Sequence, residues 1–102
     1  MSKIRDMHAA LLKRILDGAG HASPADRRKA FEDAGLEGPA QKLVDTVAHD
    51  AHRVTDDDVA ATKAAGLGED QIFELVICAA VGASTRQYNV AMAALDAATK
   101  KD

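Results

Sequence analysis

The run Ile72-Phe73-Glu74-Leu75-Val76-Ile77-Cys78-Ala79-Ala80-Val81 is apolar on nearly all faces, with Glu74 as its one charged residue. A helix that is apolar all round is buried among others, so this stretch marks a central helix. The reading extends it from about Glu69 to about Ala98, and Gly82 with Ser84-Thr85 is the place where so long a helix would bend. Just upstream, Gly66 reads as a left-handed helix cap with Leu67 folding back on the helix that it ends.

The remaining segments carry the same helical period. Ile4, Met7, His8, Leu11, Leu12 and Ile15 form one stripe of an N-terminal helix that stops at Asp17-Gly18-Ala19-Gly20. Ser23 before Pro24, with Asp26 in the first turn, opens a short second helix that carries Phe31 inward and stops at Gly35. Gly38-Pro39 opens a third, with Ala40, Leu43, Val44, Val47, Ala48 and Ala51 on its apolar side. His52-Arg53-Val54 makes a tight joint. Thr55 and Asp58 form a capping-box pair, and Asp56-Asp57-Asp58 reads as an acidic helix start, not a metal cluster.

Composition sets the frame. The chain has 102 residues, enough for one core, so residues 1–102 are read as one domain. It is 47% hydrophobic and 28% charged with a net charge of −3, which places it among globular proteins and away from disordered tails. No apolar run reaches membrane-span length and the first residues lack a signal-peptide core, so a cytoplasmic protein with no membrane partner is expected. The mild acidity argues against nucleic acid, and Arg27-Arg28-Lys29 reads as a solvated helix face. The stretch Val59 to Ile72 has the outline of a helix-turn-helix, but Glu69, Asp70 and Glu74 would face phosphates with negative charge.

Several side chains could carry chemistry. Asp45, His49 and His52 fall along one edge of the third helix, either as acid–base groups or as an exposed Asp45–His49 pair with His52 at the helix end. Two histidines make an incomplete metal site, and neither a metal nor a cofactor is expected. Arg86 follows the apolar run, where a buried guanidinium needs a carboxylate partner or else points at a ligand or a neighbouring subunit. His8 lies on an apolar stripe and reads as a hydrogen-bonded core histidine. Cys78, the only cysteine, has no neighbouring cation in sequence and reads as a small core residue; a disulfide within one subunit is excluded.

The segment from His49 to Arg86, with His52-Arg53-Val54-Thr55-Asp56-Asp57-Asp58-Val59-Ala60 and Ala64-Ala65-Gly66-Leu67-Gly68-Glu69-Asp70-Gln71-Ile72-Phe73-Glu74-Leu75, resembles the alkylhydroperoxidase-D-like, or carboxymuconolactone-decarboxylase-like, superfamily. The region from Asp17-Gly18 to Pro39 is similar to a small bacterial branch of it. The resemblance implies an all-α fold, an orthogonal bundle of about five helices with a long apolar central or C-terminal helix, assembled as a homo-oligomer, a trimer or hexamer. Redox-active members carry a Cys-x-x-Cys-x-x-x-His motif ahead of a Gly-Leu turn. Counting back from Gly66, Ala51 and Val54 stand at the cysteine positions, Asp58 at the histidine, and Pro39 at the upstream glutamate.

The resemblance therefore implies a redox-inactive relative that serves as an oligomeric binding or accessory protein. A second reading is a cysteine-independent acid–base enzyme of decarboxylase or lactone-acid type, acting on a small carboxylate through His49 or His52 as base, Asp45, and Arg86 as anion clamp. A remote third is a one-cysteine peroxidase using Cys78. If His49, His52 and Arg86 line one cavity the enzyme gains; if they face separate regions it loses.

Overall fold

The computed structural model describes residues 2–99, with Ser2 described by its backbone alone, and is all-helical. Helices α1 (Ser2–Asp17), α2 (Pro24–Glu32), α3 (Gly38–Asp50), α4 (Asp56–Ala64) and α5 (Glu69–Thr99) follow in order, with a 3-10 turn at Ala51–Arg53. The core joins Leu16, Ala22, Ala30, Val44, Leu75, Cys78 and Ala79, with Phe31, Leu36, Val47 and Leu67 packed around it.

Local chemistry explains where most helices begin and end. Ser23 Oγ accepts the Asp26 amide at 3.1 Å and Pro24 supplies the first helical residue of α2. Thr55 Oγ1 accepts the Asp58 amide at 3.2 Å while Asp58 Oδ2 accepts the Thr55 amide at 3.0 Å, the reciprocal pair that starts α4. At the other end of α4, Gly66 takes φ +110°, Gly66 N–H donates to Lys63 O at 2.9 Å and Leu67 N–H to Thr62 O at 3.5 Å. Those two bonds satisfy orphan carbonyls, and the positive φ makes glycine the fitting residue there.

Other boundaries differ from the sequence reading. Helix α2 ends before Gly35, because Asp33 takes the left-handed conformation (φ 57°) and its amide donates to Ala30 O at 3.1 Å. The short polar side chain of aspartate tolerates that conformation better than most. Helix α5 is one element of 31 residues, about 46 Å long at ~1.5 Å per residue. Gly82 lies buried where α5 crosses α2, and a Cβ there would overlap the Phe31 carbonyl. Its missing side chain lets two backbones touch, which is why glycine stands in mid-helix despite its cost.

Arg27 overturns the solvated basic face. It is only 4% exposed, and its Nη1 donates to Ile15 O at 3.1 Å at the end of α1. A cation at a helix C-terminus meets unpaired carbonyls and the negative end of the dipole, which offsets part of its desolvation. Arg28 stays exposed and pairs with Asp17.

The N-terminal stripe also divides. Leu12 and Ile15 pack on the core beside Leu16, which the stripe did not include, whereas Ile4, Met7 and Leu11 are exposed. Beyond Gly82, α5 likewise leaves the packed body, with Tyr88, Val90 and Leu95 at 54%, 70% and 54% exposure. The outline is accordingly long, 55 × 28 × 20 Å, and the radius of gyration of 15.5 Å exceeds the ~13 Å of a compact chain this size. Among the described residues no helix is long and apolar enough to cross a membrane.

Candidate functional site

Packing of both α2 and α3 on α5 brings His49 beside the end of α2, into an exposed polar cluster. His49 Nε2 lies 2.9 Å from Asp33 Oδ2 and 3.5 Å from Asp45 Oδ1. The Asp45 contact is the i, i+4 helix pair foreseen from spacing. Asp33 is the addition: it comes from the end of α2, sixteen residues away in sequence, and the left-handed turn places it there. Gln41 fixes its other oxygen, donating from Nε2 to Asp33 Oδ1 at 3.0 Å while its Oε1 accepts the Leu36 amide at 3.1 Å. An imidazole hydrogen-bonded to a well-anchored carboxylate is an oriented acid–base group.

The two carboxylates also act on each other. A hydrogen bond to Asp33 and the charge of that carboxylate push Asp45 above its usual range, against a lowering pull from His49. The three ligand atoms of Asp33, Asp45 and His49 lie within 4.8 Å of one another.

His49 stands between two cavities. One, about 450 Å³, runs along α5 and is lined by Ala48, His49, Ala83, Arg86, Gln87, Val90 and Ala91. The other, about 620 Å³, is lined on the α3–α4 side by Lys42, Asp45, Asp50, Arg53, Asp57 and Asp58 among others. The first combines Arg86 and His49 with alanine and valine walls and no lining carboxylate; the second is rich in acids. An anion therefore meets a more favourable field in the first.

Arg86 departs from the expected ion pair. Its Nη1 donates to the Phe31 carbonyl at the end of α2, one helical turn beyond the Gly82 crossing. Since a guanidinium carries five N–H donors in a rigid fork, this bond fixes the group and leaves donors for a ligand.

His52 does not join His49 and Arg86. It sits in the 3-10 turn, highly exposed, with Nδ1 3.1 Å from Asp50 Oδ1, and lines neither cavity. The reason is local: α3 ends at Asp50, so the three-residue spacing from His49 to His52 is not carried on one helix face.

The positions that the resemblance aligns with the redox motif are occupied by structure. Ala51 lies in the exposed turn, Val54 is half-buried, and Asp58 closes the α4 cap. Hydrogen bonding by the Thr55 backbone, helped by the Thr55 hydroxyl and Lys42, holds Asp58 below its usual range against a smaller opposing effect of burial. Cys78 is 1% exposed, with Sγ 3.6 Å from Ile15 O. Burial pushes its thiol up, Arg27 opposes and Glu74 reinforces the shift, so the nucleophilic thiolate is disfavoured. His8 meets Thr85 Oγ1 at 3.2 Å, but it is half-buried in the cleft between α1 and α5 and not part of the core that the apolar stripe suggests.

Comparison with known proteins finds no matching family model, no matching curated protein and no matching solved structure.

Proposed function

We propose that this chain is a redox-inactive, alkylhydroperoxidase-D-like binding protein of the cytoplasm, a homo-oligomer built on the orthogonal five-helix frame with an apolar central helix. Its ligand is a small carboxylate, taken up in the cavity along α5. The observation that supports this reading is that His49 and Arg86 line one cavity while the carboxylates of Asp33 and Asp45 stand outside its lining. Arg86 meets the anion and Ala83, Val90 and Ala91 cover an apolar body. Thiol chemistry has no part in it, because Cys78 is buried and Ala51 and Val54 replace the cysteine pair.

The Asp33–His49 hydrogen bond supports a second reading, in which the same cavity hosts acid–base turnover of the carboxylate, of decarboxylase or lactone-acid type. His49 then exchanges the proton, Asp33 and Asp45 orient it, and Arg86 clamps the substrate.

An NMR titration with a panel of small mono- and dicarboxylates tests both. Binding is expected to shift the resonances of His49, Ala83, Arg86 and Gln87 together. Arg86→Gln should weaken binding about 10- to 100-fold, the equivalent of losing one charge-assisted hydrogen bond. A panel that leaves these residues unperturbed overturns the carboxylate reading. Product formation that disappears in His49→Gln selects turnover, and binding without product selects the accessory role. Any peroxide reduction that persists in Cys78→Ser rules out the one-cysteine peroxidase.

A further inference from the structure

We infer that the outer half of α5 is the docking surface for a second copy of this chain, arranged antiparallel about a two-fold axis near residue 90. Thr85, Tyr88, Met92 and Leu95 are spaced three, four and three residues apart on one side of the helix. That is the alternation of a coiled-coil seam. Tyr88 and Leu95 are each 54% exposed, so a helical seam stands open to water. Between residues 83 and 99 the only charged residues are Arg86 and Asp96, and a helix so poor in charge belongs inside a protein assembly.

The seam runs into a hole of matching character. Where α1 leans against α5, a cleft of about 410 Å³ opens between Ile4, His8 and Leu11 on one side and Val81, Thr85 and Tyr88 on the other. Reversing the spacing about residue 90 maps the seam onto itself, placing Tyr88 opposite Met92 of the second copy and Thr85 opposite its Leu95. Leu95 of each copy then enters the cleft of the other beside Thr85. This gives an isologous contact in which knob and hole lie on the same surface.

Area allows this occupant. The strip from Ala80 to Thr99 is ~30 Å long at ~1.5 Å per residue and about one helix diameter, ~10 Å, wide, and α1 widens it only alongside residues 80–88. That offers on the order of 450 Å² per copy, so the pair buries ~900 Å², the size of a weak interface that forms at tens of micromolar. A small ligand in the cleft would leave Leu95 bare. A lipid surface would call for the basic polar face of an interfacial helix, which residues 83–99 lack. The inference rests on the homo-oligomer of the proposed function and is independent of its carboxylate ligand, because the seam and the Arg86 cavity occupy opposite sides of α5.

Sedimentation velocity of the full chain at tens of micromolar should give twice the 10.7 kDa chain mass. Leu95→Asp should shift dissociation to at least 10-fold higher concentration while circular dichroism stays helical, because Leu95 is exposed within one copy. Oxidation should cross-link the double variant Tyr88→Cys with Met92→Cys but neither single variant; Cys78 is left in place because it is buried. A monomeric wild type, a dimer indifferent to Leu95→Asp, or efficient cross-linking through either single cysteine would each overturn the inference.

Discussion

The two halves of α5 share a helix and an apolar composition, yet they live in different surroundings. From Ile72 to Gly82 the helix buries Ile72, Leu75, Cys78, Ala79 and Gly82 against α2 and α3. From Ala83 to Thr99 no residue is fully buried, although Tyr88, Val90, Met92 and Leu95 stand there. Hydropathy measures what a segment can bury, while topology decides what is within reach to bury it. Among the described residues α2 and α3 pack on the first half, while α1 and the end of α3 border the second without fully burying any of its residues.

Substitutions should separate the halves sharply. Gly82→Val is expected to have the largest effect, since its side chain must displace the Phe31 backbone and not merely a flexible side chain. A loss of ~3 kcal/mol or more, read as loss of the cooperative unfolding transition, would mark the crossing as the fixed point of the fold. Leu75→Ala should follow at ~2–5 kcal/mol by urea denaturation, for a fully buried leucine in the core.

Glu74→Gln should cost about 1–2 kcal/mol at neutral pH. Glu74 Oε1 and Oε2 accept the amides of His21 and Ala22 at 2.8–2.9 Å, tying the α1–α2 loop to α5. Burial pushes this carboxyl up, but the hydrogen bonds from Ala22 and His21 outweigh it and hold the group below its usual range. Because the folded state depresses the value, the stabilisation is complete above the unfolded glutamate range and is lost as pH falls through the folded value. An acid titration of stability should therefore be shallower for Glu74→Gln than for the wild type. An unchanged slope would remove Glu74 as a source of acid sensitivity.

The smallest effect is expected in the outer half. In dilute monomer, Leu95→Ala should change stability by no more than ~0.5 kcal/mol, the usual range for a surface site. A cost near that of Leu75→Ala under those conditions would mean that the outer half is covered within one copy.

The parts of the fold set by neighbouring residues were legible before any coordinates. Ser23-Pro24, Thr55 with Asp58, and Gly66-Leu67 each specify a helix end through bonds spanning six residues or fewer, so the sequence reading and the structure agree there. Cys78 was also placed correctly, because a small residue inside an apolar run has few other places to go. Long-range geometry was not legible. Arg27 is buried only because α1 ends beside it, and Ile4, Met7 and Leu11 are exposed because α5 turns only part of its length toward α1.

At the candidate site, spacing supplied Asp45 with His49 but could not supply Asp33, which arrives through a left-handed turn at the end of another helix. An aspartate followed by Ala34-Gly35 and, after Pro39, by Gln41 carries that information only in hindsight. The helical period that groups His52 with His49 ends at Asp50, before it reaches His52. The sequence leaves Arg86 either paired with a carboxylate or pointing at a ligand or a neighbouring subunit; in the structure it is exposed and donates to the carbonyl of Phe31 at a helix end, a partner that residue type and spacing do not reveal.

The bond from Arg27 to Ile15 gives α1 the mechanics of a lever pinned at one end. Its last turns are held by that guanidinium and by Leu16 in the core, His8 ties its middle to Thr85 of α5, and Ile4 and Met7 near its start are largely in water. Amide exchange along α1 should therefore slow progressively from Ile4 towards Leu16, with the pin at Ile15 and Leu16 opening only when the whole bundle does. A rotation of a few degrees about the pinned end would move Ile4 by about an ångström and stretch the His8–Thr85 bond, so the width of the cleft along α5 is set jointly by that bond and by Arg27, a residue that does not line it.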